Sequence, residues 1–92
     1  MMTAKQRAQV VGERIVAARK RKGISQVELA TRLAARYDKE PETVRRSLVN
    51  NETGKYAPRL HMLQAIAEET EQPLEFFTAA EDGGSRPFRD AA

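Results

Sequence analysis

Residues 41–51, "PETVRRSLVNN", set two adjacent arginines, two asparagines, a glutamate and a threonine around one apolar pair. Val44 and Leu48 are four residues apart, the spacing that puts two side chains on one face of a helix. Glu42, Thr43, Arg45, Arg46 and Asn50 project off that face. An arginine presents parallel donors, an asparagine a donor beside an acceptor, a glutamate acceptors only, and a threonine a hydroxyl and a methyl. This is the equipment that recognises base edges in a groove: arginine for guanine, asparagine for adenine, glutamate for the amino group of cytosine, and the threonine methyl for thymine. The same residues with an acidic first turn also make an ordinary solvated helix face. Taken without their surroundings, they favour that plainer reading.

The elements that must position these side chains are framed by local signals. Pro41 suits the first position of a helix, and Glu42 the acidic first turn. Glu40, driven towards an extended backbone by the proline after it, precedes the helix, and "YDKEPE" is the break before it. Upstream, Ala4 to Lys22 are good helix formers, with Gly12 the weak point. Val11, Ile15 and Ala18 form its stripe, and a cationic last turn followed by Gly23 ends it. Ser25 and Glu28 have the spacing of a capping box that opens a second helix. Leu29, Ala30 and Leu33 face inward there, and the helix should end near Arg36 or Tyr37.

"ETGKYAP" reads as a loop marked by Gly54 and Pro58. A fourth helix is expected from Arg59 to Thr70 with Leu60, Leu63, Ile66 and Ala67 inward, then a short final helix from Pro73 in which Leu74, Phe76 and Phe77 close the core. The end of the chain, "AEDGGSRPFRDAA", has no periodicity and reads as a disordered tail. The expectation is an all-α domain of five short helices over residues 10–77, a helical N-terminal extension over 1–9, and a tail over 78–92. There is no strand pattern and no internal repeat.

The 92 residues suggest one domain. The chain has no cysteine and one histidine, so it forms no disulfide and makes a poor structural zinc site. No apolar run approaches the roughly 20 residues that span a bilayer, and the N-terminus lacks the apolar block of a secretion signal. The expected location is cytoplasmic, with no membrane partner. The net charge of +3 is uneven: residues 1–23 hold seven basic and one acidic side chain, residues 24–77 seven and nine, residues 78–92 two and three. A basic segment on a nearly neutral body suggests a polyanion footprint, or a solvated basic helix. No nucleophile–histidine–carboxylate spacing and no glycine-rich phosphate loop is present, so neither an enzyme, a cofactor nor a small-molecule ligand is expected.

The order of these pieces strongly resembles the phage repressor and Cro family, the Xre-type helix-turn-helix domains. The first helix ends in Lys22-Gly23, followed by Ile24, Ser25-Gln26, two variable positions and Leu29-Ala30; "ETGKYAP" is similar to the family's loop after its third helix, and "LHMLQAIAEETEQPLEFF" to its fourth and fifth helices. The resemblance covers roughly residues 10–77 and implies a compact lambda-repressor-like fold whose third helix enters the major groove. The stretch between the second and third helices, and that from Val44 to Gly54, are longer than the family norm. The third helix or its loop must therefore be extended.

The resemblance also implies roles. Gln26 would lie near the DNA backbone, as would Asn51, Lys55 and Tyr56 in the loop after the third helix. Arg19 and Glu52 would form an ion pair joining the first helix to that loop. Arg46, Asn50 and Glu42 share one edge of the third helix, so Arg46 is expected to read a base and Arg45, about 100° around the helix, to hold the backbone, with the exchanged assignment of the two arginines as the alternative. Arg14, Arg19, Lys20, Arg21 and Lys22 would supply general attraction to DNA, while Glu68, Glu69 and Glu71 form a solvated face turned away from it.

The function implied is sequence-specific binding of double-stranded DNA by a transcriptional regulator, expected to be a repressor. It would act as a homodimer on DNA, joined around Leu74, Phe76 and Phe77 or around Val10. One alternative is a protein-interaction module of the same fold, such as an antitoxin or an adaptor. Another is an RNA binder, although the chain has only Tyr37, Tyr56, Phe76, Phe77 and Phe88 for base stacking.

Overall fold

A computed structural model of the chain describes residues 2–78. Five helices follow one another: α1 (Ala4–Lys22), α2 (Gln26–Tyr37), α3 (Pro41–Glu52), α4 (Leu60–Thr70) and α5 (Glu75–Thr78). Among the described residues there is no strand, and no helix is long and apolar enough to cross a membrane. Of the helical extension expected over residues 1–9, residues 4–9 are the first part of α1, continuous with the rest, and Thr3 is its cap; Met1 lies outside the described residues. Of the tail expected over 78–92, Thr78 is the last residue of α5, and the remainder lies outside the described residues.

The helix ends follow from local chemistry. Thr3 starts α1 with a reciprocal capping box: its hydroxyl accepts from the Gln6 amide, and the Gln6 side chain accepts from the Thr3 amide. At Ser25 only half of the expected box forms. Its hydroxyl accepts from the Glu28 amide at 3.0 Å, but the Glu28 carboxylate turns to Arg32 at 2.8 Å. Pro41 is the first residue of α3, as its fixed backbone and missing N–H favour. Gly23 closes α1 in the left-handed conformation at φ 81°, letting the Ile24 amide reach back to the Arg19 carbonyl at 3.1 Å.

The core draws on every helix. Val11, Ile15 and Ala18 of α1 meet Leu29, Ala30 and Leu33 of α2, Val44 and Leu48 of α3, Leu63, Ile66 and Ala67 of α4, and Phe77 of α5. Ala34 and Ala65 are buried as well. Leu60, expected inward, is exposed: it is the first residue of α4, a full turn before the stretch that meets the core. Phe77 is fully buried, so it closes the core as expected.

Gly12, in the middle of α1, is the point where two backbones come closest. A Cβ there would sit 2.5 Å from the Asn51 carbonyl oxygen and 2.6 Å from that of Glu52. On the same crossing, a Cβ at Gly54 would sit 2.8 Å from the Gln9 Cα. The low helix propensity of Gly12 is thus the condition for α1 to lie against the C-terminal end of α3. The same crossing fixes the direction of α3, and with it the side chains on the outer face of that helix.

Candidate functional site

α3 is anchored by Val44, Leu48 and Asn51. With that side packed, Glu42, Thr43 and Arg46 are exposed, while Arg45 and Asn50 are half-buried along the flanks. The structure therefore brings together on one outer face the five residues expected there. The extra length between Val44 and Gly54 is taken up by helix, which runs to Glu52, two residues before the glycine.

Within that face the charges are not equivalent. Arg45 meets Glu42 side-on, with Nε donating to Oε1 at 3.2 Å and Nη2 to Oε2 at 2.8 Å. The hydrogen bond from Arg45, then its charge, holds the Glu42 carboxyl below the usual carboxylate range, and Arg46 adds to the same effect. Arg46 itself makes no hydrogen bond or ion pair among the described residues.

Beside α3 lies an open groove of about 500 Å³, bounded by the α2–α3 turn, the loop after α3 and the start of α4. Lys39, Ser47, Asn50, Tyr56, Arg59 and His61 contribute to its walls, and among the described residues no carboxylate lines it. α4 begins at its edge, and no side chain caps that N-terminus, so its first amides keep donors free for an anion. The His61 ring stands edge-on to Tyr37 with centroids 5.6 Å apart, and the Tyr37 hydroxyl donates to the His61 carbonyl at 3.2 Å.

Lys39, Ser47, Arg59 and His61 are not among the residues expected from the sequence. Lys39 and Arg59 immediately flank the starts of α3 and α4, which is the signal that could have found them. What assembles them is the way the chain turns at each end of α3.

One expected placement is corrected. Asn51 is not in a loop. It lies in the last turn of α3, is buried, and donates through Nδ2 to the Tyr56 carbonyl at 3.0 Å. Its side chain is tied inside the fold, where it shapes the loop that carries Lys55 and Tyr56. Those two are exposed, with the Lys55 ammonium 5.6 Å above the Tyr56 ring. Gln26 is half-buried and donates through Nε2 to Glu52 Oε1 at 3.0 Å. The same carboxylate takes Arg19 side-on, Nε to Oε2 at 2.9 Å and Nη2 to Oε1 at 3.1 Å. The Arg19–Glu52 pair expected from the resemblance is therefore present, with the glutamate side chain only 5% exposed.

The basic end of α1 is largely engaged within the fold. Arg14 donates to the Phe76 carbonyl at 2.9 Å, Arg14 and Arg21 both lie over the Phe76 ring, and Lys22 pairs with Glu71. Of the five cations expected to attract DNA, Lys20 and Arg21 are exposed without a hydrogen bond or ion pair among the described residues, and Arg21 has the Phe76 ring beneath it. The acidic face of α4 is likewise paired rather than simply solvated. Glu68 meets Arg36 at 2.8 Å, and Glu69 lies within 3.7 Å of both Arg32 and Arg36. As a contact between copies, Phe77 is unavailable because it is fully buried, and Phe76 is covered by arginines.

No family model, no curated protein and no solved structure matches this chain.

Proposed function

We propose that this protein is a sequence-specific double-stranded DNA-binding regulator that lays the outer face of α3 in the major groove. One observation carries the reading. Arg46, Lys39 and Arg59 stand without carboxylate partners around α3 and the adjoining groove, while the cations of α1 and α2 are mostly occupied inside the fold. A helix of this diameter fits the major groove, where each base pair shows a distinct set of donors and acceptors. The acid-free groove at the start of α4 has the chemistry of a phosphate seat, which fixes register on the duplex without reading sequence. Lys55 and Tyr56, on the loop beside it, add exposed donors on the same side.

One such helix grips a short half-site. The reading therefore includes a second copy related by a two-fold axis, with half-sites one turn of DNA apart, about 34 Å. With Phe77 buried, the candidate contacts that remain are the half-buried Leu74 near the chain's described end and Val10 on α1.

Selection of bound duplexes from a random pool at stated salt tests the reading, followed by a salt titration on the selected site. The expected result is a defined sequence and an affinity that falls steeply with salt. Failure to enrich any sequence, together with salt-insensitive binding, overturns it and favours a protein partner. Sedimentation on the selected duplex reads the stoichiometry, and a one-to-one complex on a non-palindromic site removes the two-fold arrangement.

A further inference from the structure

The two arginines of α3 differ in one respect that decides their work. A guanidinium carries five N–H donors in a rigid plane. In Arg45 the Glu42 carboxylate occupies one edge of that plane, through Nε and one hydrogen of Nη2. The end of the fork, both Nη1 hydrogens and the second Nη2 hydrogen, is left to point elsewhere. Guanine presents O6 and N7 side by side in the major groove, two acceptors that match two parallel donors. Arg46 is exposed and has no such brace.

Resting on the DNA-binding reading above, we infer that Glu42 is a positioning residue that holds Arg45 side-on so that the free end of its fork reads a guanine, leaving Arg46 to hold phosphate. This selects, of the two assignments that helical spacing leaves open, the one with Arg45 at the base. Three physical points lead there. A braced arginine has already lost much of the rotamer freedom that base reading would otherwise remove. An arginine neutralised by a carboxylate contributes little to counterion release, so its value lies in directed donors rather than general affinity. Arg46 keeps its full charge and its freedom, which suit a phosphate, where geometry is less demanding. Glu42 also sets a negative charge at the start of α3, which opposes any backbone contact that is not compensated by the correct base.

The test is sequence selection with the full chain, run in parallel on wild type, Glu42→Gln, Arg45→Lys and Arg46→Lys at one salt concentration. Far-UV circular dichroism first shows that all four share one fold. Glu42→Gln keeps the size of the side chain but removes the carboxylate that braces Arg45. Arg45→Lys keeps the charge but removes the fork. Both are expected to lower discrimination at the same single guanine by about tenfold, while Arg46→Lys leaves the selected sequence as it was. Glu42→Gln should also bind non-selected DNA as well as wild type or better, an outcome that general damage to the protein would not produce. A wild-type consensus with an unchanged guanine preference in Glu42→Gln overturns this inference alone. So does a change at a cytosine instead, which would make Glu42 itself the reader, or a loss that follows Arg46. A wild type that selects no sequence overturns the DNA-binding reading and this inference with it.

Discussion

The α1–α2–α4 flank and the α3 side of the molecule handle charge in opposite ways. On the first, most cations from α1 and α2 meet carboxylates or a ring from elsewhere in the chain: Arg19 with Glu52, Lys22 with Glu71, Arg32 and Arg36 with Glu68 and Glu69, Arg14 and Arg21 with Phe76, while Lys5 and Lys20 have no such partner among the described residues. On the second, Lys39, Arg46 and Arg59 have no such partner among the described residues, and Arg45 has one on its own helix. The excess of positive charge in the sequence lies mostly in residues 1–23. Much of that charge is engaged within the fold, and charge matters to a distant polyanion only where it is not already neutralised. A count of basic residues along the chain therefore does not measure how much of their charge is left unpaired.

Substitutions on the two sides should separate stability from binding. The largest effect is expected at Glu52. Glu52→Ala leaves Arg19, 13% exposed at its side chain, without its partner and also frees Gln26. The expected loss is about 3 kcal/mol, the range for breaking a buried pair by removing one member, read from denaturant unfolding. A loss below that of an ordinary surface pair would show that water replaces the carboxylate easily and that the clamp is not what joins α1 to α3.

Gly12→Ala comes next, because its Cβ would press on two α3 carbonyl oxygens at about 2.5 Å. The crossing must open, at a cost of about 2 kcal/mol, even though alanine is the better helix former. An unchanged or higher melting temperature would mean that the crossing is loose. On the other side, Lys39→Ala combined with Arg59→Ala should leave stability within about 0.5 kcal/mol. The same pair should reduce the slope of log affinity against log salt by about two. A stability loss without a change in slope would place the groove in the fold rather than at the interface.

The smallest effect concerns pH. Lys22 holds Glu71 below its ordinary pKa, first by hydrogen bond and then by charge. The folded value thus lies below the unfolded one. The contribution is complete above the unfolded pKa of about 4.3 and is lost as pH falls through the folded value. The group is exposed, so the effect should be slight and should fade with added salt. Thermal melts at falling pH, compared between wild type and Glu71→Gln, read it as a small convergence of the two melting temperatures in acid. Divergence in acid would reverse the sign and remove the pair as its cause.

Helix positions were legible from the sequence because their causes are local. α1 spans Ala4–Lys22 as its composition predicts, and the starts of α2 and α3 fall at the signals set by Ser25 and Pro41. The apolar stripes of α1, α2 and α3 point inward as their spacing requires. The outward set on α3 was legible for the same reason, since it is what remains when Val44 and Leu48 are buried. Leu60 shows the limit: its type says inward, but a residue at the first position of a helix can lie beyond the reach of the core.

The rest depended on partners far along the chain. The sequence separations of 33 from Arg19 to Glu52 and 62 from Arg14 to Phe76 follow no spacing rule, and neither does the turn that hides Asn51. By itself, the amino-acid sequence determined five helices, their caps and their inner faces, because caps and periodicity act within about four residues. Tertiary structure alone decided which cations are neutralised, which amides are tied down, and where an acid-free groove opens beside α3. Such outcomes follow from which elements the fold brings together; the clamp of Arg19 on Glu52, for one, needs α1 close against the end of α3, where two glycines meet backbone.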